Sequence, residues 1–439
     1  MAAYARRIID DELDDLQGQI AAIALEGPKA VGKTATAMER AATVYQVDNR
    51  ATRALLEAGP SVWAGAPKPI LFDEWQRWPS VWDEVRRAVD IDHAPDQFLL
   101  TGSALPPYTG ENDPHSGAGR IVSIRMRPLS LAERAIEQPT VSLGSLLTGE
   151  SPPVSGRTVL TAQNYTREIV SSGFPAIRTL TGRAQRAQLD AYLERVVNRD
   201  FRDAGHVIRR PARLRRWLAA YAAATSTITS QEKIREAAVS GEGKIASEDA
   251  DQPFSRKATH AYREVLERLW LLEPLEGWTP SWNHLKRVAQ APRHHLADPA
   301  LAARLLGATE DTLLNGTPSL ILDVMTRPRD GTLLGQLFES LVTQSVRVYA
   351  QRHEARVRHF RTWDGRQEID LIVERADSRV VAIEVKLSAS AEKGDMKHLL
   401  WLKEQMGTDL LDMVLVNTGP HAYRHPNGVA VVPAALLGA

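Results

Sequence analysis

The sequence predicts an α/β protein: an N-terminal parallel sheet with helices on both faces, then a helical module, then a mixed α/β C-terminal domain. Three observations predict this order. Apolar runs alternate with helix-favouring segments between residues 20 and 126, as they do in α/β folds. Helical periodicity dominates residues 213–272. A long helix and three strands then fill residues 331–387, which adds a second sheet.

Length and composition limit the class of protein. The chain has 439 residues, 43% hydrophobic and 25% charged, which is ordinary for a folded protein of more than one domain. No segment is long and apolar enough to cross a bilayer, and the N-terminus lacks the apolar stretch of a secretory signal. The chain has no cysteine, which excludes disulfides and cysteine-ligated zinc. We expect a cytoplasmic protein with no membrane partner.

Because the charges balance, any binding of nucleic acid must come from a local patch of positive charge. Lys+Arg and Asp+Glu are both 54, so no net field draws the molecule to a phosphate backbone. Arginines do concentrate in one stretch, at Arg195, Arg199, Arg202, Arg209, Arg210, Arg213, Arg215 and Arg216. This stretch is either a nucleic-acid surface or a solvated helical face with arginines that dock domains.

A glycine-containing loop between a strand and a helix predicts a phosphate site. The apolar run IAAIALE ends at GPKAVGKT, and residues 35–42 favour a helix. Such a loop directs backbone N–H groups at phosphate, so we expect ATP, with Lys33 on the β- and γ-phosphates and Thr34 on Mg²⁺. The predicted cofactor-binding residues are Gly27, Pro28, Lys29, Ala30, Val31, Gly32, Lys33 and Thr34. The alternative is a loop without a ligand.

Two further apolar strands end in polar side chains. PILFDE ends in Asp73, predicted to position Mg²⁺, and Glu74, predicted to activate the attacking water. The run at 97–103 ends in Thr101 and Ser103, which could sense the γ-phosphate or simply cap the strand.

The remaining parts of the predicted sheet are less informative about chemistry. Val44 to Asp48 reads as a strand, Trp82 to Val89 as a helix and residues 120–126 as the last strand. Arg120 is a candidate for the charge-neutralising arginine of the nucleotide site, or a surface arginine.

With these motifs the chain resembles bacterial AAA-type ATP-binding proteins that carry a C-terminal domain of unknown function. The matching stretches are GPKAVGKT, PILFDEWQRWP, FLLTGS, SGAGRIVSIRMRPLSLAE, SSGFPAI and YLERVVNRD. The resemblance implies an ATPase domain, a helical connector, a winged-helix-like module and a nuclease-like domain. We place these at residues 1–140, 141–205, 206–300 and 310–439.

The middle module has helical segments at 213–224, 231–238 and 255–272, the last with Ser255 as its N-cap. Extended segments at Leu275 to Trp278 and Arg287 to Ala289 follow. Since the resemblance suggests a winged helix, the third helix could contact DNA; the alternative is packing against protein.

A group of polar residues near 290 invites a metal interpretation. His284, His294, His295 and Asp298 are close in sequence. Asp298 precedes Pro299, however, and is better explained as a helix N-cap with proline in the first turn.

The C-terminal part brings acidic residues together. Glu339 lies on the helix that starts near Gly331, and strands are predicted at 357–363, 368–374 and 379–387. A turn near Asp377 would place Asp370 opposite Glu384, with Lys386 on the same face as Glu384. A slip of one residue in this register is the alternative.

Two carboxylates beside a lysine suit metal-dependent phosphodiester cleavage. The pattern resembles the PD-(D/E)xK nuclease superfamily, with Glu339, Asp370, Glu384 and Lys386 as its catalytic set and Asp370 and Glu384 as metal ligands; Ile369 stands where that family often has proline. The alternative is a cross-strand salt bridge of Lys386.

These features support two hypotheses about function. The first is an ATPase coupled to binding or processing of nucleic acid, DNA rather than RNA, with metal-dependent nuclease activity. The second is a regulatory ATPase whose nuclease-like domain binds without cutting. Either form could be an oligomer. A small-molecule kinase is a third, weaker idea, because it leaves the two later modules without a purpose.

Overall fold

The structure is a computed structural model that describes residues 4–103, 119–203, 210–240, 255–280, 290–315 and 332–439. Its contacts divide the chain into two compact units. The N-terminal unit consists of Met1–Arg127, Asn198–Ile208 and Glu264–Leu271, and the C-terminal unit of Pro128–Val197, Arg209–Arg263 and Leu272–Ala439. Most of the loop GENDPHSGAG, at 110–118, lies outside the described residues.

A five-stranded parallel sheet forms the centre of the N-terminal unit, in the order β2-β3-β4-β1-β5. Its strands are β1 (Ala22–Glu26), β2 (Thr43–Gln46), β3 (Ile70–Asp73), β4 (Phe98–Gly102) and β5 (Ile121–Arg125). Every residue of β1, β3 and β4 is buried, which explains their continuous apolar sequences. The predicted parallel sheet is confirmed.

Four helices accompany this sheet among the described residues: α1 (Ile8–Leu16), α2 (Lys33–Met38), α3 (Arg50–Leu56) and α4 (Ser80–Ile91). Helix α4 buries Val81, Val85 and Val89, which are four residues apart and therefore share one face. Trp63 packs edge-on against Phe72 and Phe98, with ring centroids 5.8 and 5.5 Å away. These aromatic contacts form the core on one side of the sheet.

Helices α5 to α16 follow in the chain. They are α5 (Leu143–Leu147), α6 (Ala162–Ser171), α7 (Pro175–Arg178), α8 (Gly182–Arg195), α9 (Phe201–Asp203), α10 (Pro211–Ala223), α11 (Gln231–Ser240), α12 (Arg256–Arg268), α13 (Pro299–Leu305), α14 (Glu310–Asn315), α15 (Thr332–Arg352) and α16 (Lys397–Met406). A π-helical turn at 196–200 joins α8 to α9. None of the helices within the described ranges has the length and apolar character to cross a membrane.

A seven-stranded mixed sheet belongs to the C-terminal unit, in the order β7-β12-β13-β11-β10-β9-β8. Its strands are β7 (Ser155–Arg157), β8 (Arg356–Arg361), β9 (Glu368–Glu374), β10 (Val380–Val385), β11 (Leu410–Asn417), β12 (His421–Arg424) and β13 (Ala430–Pro433). A separate two-stranded sheet pairs β6 (Val141–Ser142) with β14 (Leu437–Gly438). The strands within residues 141–157 therefore pair with strands that lie between residues 421 and 438.

The hairpin of β9 and β10 has the predicted register. Val380 pairs with Glu374 and Ile383 with Leu371 in antiparallel fashion, so the next position sets Glu384 against Asp370. The one-residue slip is excluded for this pair of strands.

Helices α10, α11 and α12 correspond to the helices predicted for the middle module, and Ser255 caps α12 by accepting a hydrogen bond from the amide of Ala258 at 3.1 Å. After α12, residues 272–275 pair with residues 293–296 through isolated bridges. The predicted extended segment Arg287 to Ala289 lies outside the described residues. The winged-helix interpretation stays a prediction.

The division into two units differs from the four predicted parts. The predicted connector contributes β6 and β7 to sheets of the C-terminal unit, and α12 runs from one unit into the other.

Asp298 is the N-cap of α13, with Pro299 in the first turn, as the sequence indicates.

Candidate functional site

The loop between β1 and α2 turns sharply through residues with positive φ angles. Gly27, Ala30 and Gly32 have φ angles of 150°, 63° and 109°, a region that glycine enters at little steric cost. A Cβ atom at Gly27 would lie 2.2 Å from the carbonyl oxygen of Met126. Glycine is therefore required there, and the loop leads from the buried β1 into the first turn of α2.

Lys33 starts α2, and its side chain lies inside the curve of this loop. Its Nζ donates hydrogen bonds to the carbonyl oxygens of Gly27 and Pro28 at 2.9 and 2.8 Å. Burial lowers the pKa of Lys33 to about 8, and the carboxylates of Glu74 and Asp73 oppose this fall. Because an anionic ligand can replace these two carbonyl oxygens as acceptor, the buried ammonium group is suited to binding an anion.

The hydroxyls of Thr34 and Thr101 meet at one oxygen of Asp73. Thr34 Oγ1 donates to Asp73 Oδ1 at 2.6 Å, and Thr101 Oγ1 donates to the same atom. Asp73 is 7% exposed. A hydroxyl and a carboxylate oxygen at this separation fit the ligand set of Mg²⁺, which the residues could hold between them.

Glu74 follows Asp73 with a left-handed backbone, φ 58°. Its amide donates to Thr101 Oγ1 at 3.2 Å. The carboxylate of Glu74 accepts a hydrogen bond from Gln76 Nε2 at 2.7 Å. Gln76 Nε2 also lies 3.2 Å from Ser103 Oγ. Gln76, which the sequence interpretation missed, therefore links Glu74 to the end of β4.

All these groups lie at one edge of the sheet. The strands β1, β3 and β4 are parallel neighbours, so their carboxyl ends meet where ligands bind in open α/β sheets. The loop, Asp73, Glu74, Thr101 and Ser103 are brought together there.

Arg120 is not part of this cluster, which corrects its assignment to the nucleotide site. In the pairing of β5 with β1, Ile121 is opposite Ala22 and Arg125 is opposite Glu26. Arg120 precedes the strand and thus lies at the opposite edge, about 17 Å from the P-loop end at the usual rise per residue. It pairs there with Asp90 at 2.7 Å.

Two contacts of charged side chains at the loop were not predicted, one made by Arg125 and one by Lys29, which is itself among the predicted cofactor-binding residues. Arg125 ends β5 at the same edge as Glu26, with its guanidinium 4.5 Å from the ring centroid of Trp270. Lys29 forms an ion pair with Asp200, a residue that is 4% exposed. Their partners are distant in sequence, so no local pattern signals these contacts.

The predicted carboxylates of the C-terminal unit do lie together. Asp370 Oδ2 accepts a hydrogen bond from the amide of Val385 at 2.9 Å. Glu384 Oε1 accepts one from Lys386 Nζ at 2.7 Å. Glu339 approaches from α15 and shares a partner with Asp370.

That shared partner is Arg293, which sequence reasoning did not select. Arg293 Nη1 donates to Glu339 and to Asp370 Oδ1, the latter at 3.0 Å, while Nη2 donates to Glu368. The arginine is 3% exposed. Glu339, Glu368 and Asp370 thus surround one guanidinium; we call these three with Glu384 the carboxylate cluster.

Electrostatics within the carboxylate cluster favour added protons or cations. Burial raises the pKa of Glu384 to about 8, and the charge of Asp370 adds to the rise while Lys386 opposes it. Burial likewise raises the pKa of Glu339 to about 8, against the pull of Arg293. Glu384 Oε2 is buried and accepts no hydrogen bond from the part of the chain that the structure describes.

Metal binding is not evident from the side-chain arrangement. Within the described ranges, no three or more His, Cys, Asp or Glu side chains are grouped so as to hold a metal ion. The metal roles of Thr34, Asp73, Asp370 and Glu384 stay predictions. For His294 the metal interpretation is not needed, because its Nε2 lies 2.7 Å from the carbonyl oxygen of Thr229.

With this geometry described, comparison with known families defines the class of the N-terminal unit. Residues 19–135 match the family model described as an AAA domain, which supports an AAA-type ATPase domain that binds ATP. Residues 334–437 match a domain of unknown function (DUF4143), and residues 162–312 match another (DUF8612). The predicted resemblance is thereby confirmed for the AAA domain and for a C-terminal domain of unknown function.

Two curated relatives match over most of the chain. They are uncharacterised proteins of Mycobacterium bovis and Mycobacterium tuberculosis, each 22% identical over 417 residues. The match covers 94% of this chain and 80% of each relative.

Proposed function

We propose that the N-terminal unit binds ATP with Mg²⁺ and hydrolyses it. The observation that carries this proposal is the convergence of Thr34 and Thr101 on Asp73 beside the curved loop. The match of residues 19–135 to an AAA domain supports it independently.

Each group has a role that follows from its position. Backbone amides of the loop and the ammonium of Lys33 bind the phosphates. Thr34 and Asp73 hold Mg²⁺, which when bound neutralises charge on the β- and γ-phosphates. Burial of Lys33 and Asp73 strengthens these electrostatic interactions, because little water is present to screen them.

Hydrolysis needs a base beside the γ-phosphate. In the proposed step, Glu74 accepts a proton from water as the water oxygen bonds to the γ-phosphorus and the bond to the bridging oxygen breaks, giving ADP and phosphate. Thr101 holds the amide of Glu74, and Gln76 connects its carboxylate to Ser103. These contacts orient Glu74 and make it sensitive to the position of β4.

We further propose that the ATPase is coupled to nucleic acid, DNA in preference to RNA. The arginine-rich stretch from 195 to 216 and the predicted nuclease-like domain support this coupling. The test is ATP turnover by the full chain alone and with duplex DNA, single-stranded DNA or RNA. Faster turnover with DNA is expected. Unchanged turnover with every nucleic acid would refute the coupling and leave the ATPase proposal intact.

The C-terminal carboxylates carry the nuclease part of the proposal. Mg²⁺- or Mn²⁺-dependent cleavage is expected to disappear in Glu384→Ala and in Lys386→Ala. If the unmodified chain cuts none of the DNA or RNA substrates offered, the nuclease assignment fails.

One observation favours the second candidate function, a regulatory ATPase whose C-terminal domain binds without cutting. Arg293 already supplies a cation to Glu339, Glu368 and Asp370. A domain with this arrangement would bind a partner without metal chemistry, and ATP turnover would respond to that partner.

A further inference from the structure

Arg293 lies at the centre of the carboxylate cluster and is held there by its backbone. Its amide donates to the carbonyl oxygen of Leu275 and its carbonyl oxygen accepts from the amide of Leu275, at 2.9 and 2.8 Å. The side chain therefore enters the cluster from a paired segment, residues 272–278 with 290–296. Its position depends on that segment remaining in place.

The paired segment is itself attached to the sheet. The amide of Trp278 donates to the carbonyl oxygen of His359 at 2.6 Å, and the amide of His359 donates to that of Glu276 at 2.9 Å. Trp278 Nε1 also donates to Glu374 at 3.2 Å. Backbone bonds to β8 thus fix the segment, and through it the guanidinium.

The guanidinium occupies the oxygen atoms that a divalent cation would need. Asp370 Oδ2 accepts a hydrogen bond from the amide of Val385. The other oxygen, Oδ1, is directed into the cluster and accepts a hydrogen bond from Arg293. The same Nη1 atom of Arg293 also donates to Glu339. Oxygen ligands from a helix and a strand that converge on one cation are the donor set of a hard divalent ion, but the cation here is a side chain.

The cluster nevertheless holds more acidic than basic side chains. Four carboxyl groups face Arg293, Lys386 and Arg361, the last 4.0 Å from Glu368, and Glu384 Oε2 is buried without a hydrogen-bond partner among the described residues. A buried carboxylate oxygen without a partner is costly. One oxygen of Glu384 is therefore left to take up a proton or a cation.

We propose that Arg293 is an internal plug that closes the carboxylate cluster to divalent metal ions. The inference builds on the proposed nuclease-like site. It also accounts for the second candidate function, because a C-terminal domain whose carboxylates are bound to Arg293 would hold no metal and would bind without cutting.

The experiment measures Mn²⁺ binding to the full chain without nucleotide, by calorimetry and by the electron paramagnetic resonance of free Mn²⁺. Arg293→Met removes the charge and keeps an apolar stem of similar length. We expect it to bind one Mn²⁺ ion about tenfold more tightly than the unmodified chain, or better, as changes around metal ligands commonly shift affinity by this much. Arg293→Lys keeps the charge and should bind as weakly as the unmodified chain.

A second substitution locates the metal. In Arg293→Met combined with Asp370→Asn, the gain in Mn²⁺ affinity should disappear, whereas any Mn²⁺ bound at Thr34 and Asp73 is the same in all variants. Folding of each variant is checked by circular dichroism and by ATP binding at the N-terminal unit.

Two results would overturn the plug. If the unmodified chain binds Mn²⁺ and Asp370→Asn abolishes it, the metal and Arg293 coexist, and the nuclease proposal survives without the plug. If folded Arg293→Met gains no Mn²⁺ affinity, Arg293 does not occupy the position of a metal ion.

Glu368→Gln replaces Arg293→Met if the latter does not fold. This change removes one of the carboxylates that bind Arg293 and should raise the affinity for Mn²⁺. An unchanged affinity would refute the proposal that Arg293 excludes metal.

Discussion

Thr34 Oγ1 donates a hydrogen bond of 2.6 Å to Asp73 Oδ1. This bond joins the first turn of α2 to the end of β3 and holds a hydroxyl and a carboxylate at the spacing of two ligands on one small cation. Because Thr101 donates to the same oxygen, Asp73 is fixed from two sides. The site that we propose for Mg²⁺ with ATP is thus formed by residues from three separate segments.

Lys33→Ala should weaken ATP binding. The substitution removes a buried ammonium that lies within the loop, and loss of a hydrogen bond to a charged phosphate costs about 2 kcal/mol, or roughly thirtyfold in Kd. Equilibrium binding of a fluorescent ATP analogue measures the effect. Lys68→Ala is the matched control, since Lys68 precedes β3 at the opposite edge of the same sheet and should leave Kd unchanged. Equal affinity of Lys33→Ala and the unmodified chain would contradict the role of Lys33.

Glu74→Gln should bind ATP normally and hydrolyse it slowly. The amide keeps the size and a hydrogen-bond acceptor but cannot take the proton of the attacking water, and loss of a general base costs about a hundredfold or more in rate. Release of phosphate under saturating ATP measures turnover. Glu57→Gln, at the exposed end of α3, serves as the control. Undiminished turnover in Glu74→Gln would exclude this residue as the base.

Asp298→Ala should destabilise the C-terminal unit. Asp298 accepts hydrogen bonds from the amides of Ala300 and Gly173 at 2.8 and 2.6 Å, and it is fully buried. Its loss leaves two buried donors without acceptors, at a cost of about 3 kcal/mol. Urea-induced unfolding measures the change. The N-cap of α5, Ser142, is less buried, so Ser142→Ala should cost about 1 kcal/mol; equal losses for the two caps would contradict the argument.

Stability should fall between pH 6.5 and pH 4 because of His359. Burial and the nearby charge of Arg293 lower the pKa of His359 to about 4, against an opposing bond to the carbonyl oxygen of Ala291. As the pH falls below 6.5 the unfolded chain takes up a proton before the folded chain does, so the free energy of unfolding decreases until about pH 4. The loss approaches about 3 kcal/mol.

The test compares urea unfolding at several pH values for the unmodified chain and for His359→Gln. His294 and His295 have lowered pKa values as well, and they contribute equally to both proteins. The variant should therefore show a shallower dependence on pH over this range. Identical slopes would mean that His359 does not titrate as proposed.

Much of the fold could be predicted because it depends on local patterns. Apolar runs that end in GPKAVGKT or in Asp73 and Glu74 mark buried parallel strands, and parallel strands bring their carboxyl ends together. The turn near Asp377 sets the register that places Glu384 against Asp370. In each case the contact follows from the period of a strand and the position of one turn.

The errors and omissions concern contacts between distant segments. Arg293 is 46 residues from Glu339 and 77 from Asp370, and nothing near Arg293 in sequence indicates an acidic partner. Arg120 is a different case. It precedes a strand that is parallel to β1, and the direction of that strand places its first residue at the edge of the sheet away from the loop.

The strands β6 and β7 affect how the protein is made in the cell. Arg424 of β12 donates to the carbonyl oxygen of Pro152, 272 residues earlier, and β14 pairs with β6. During translation, residues 141–157 leave the ribosome long before their partners exist. The C-terminal unit can therefore close only after synthesis reaches residue 438, and until then the unpaired backbone of β6 and β7 must be kept from pairing with other chains.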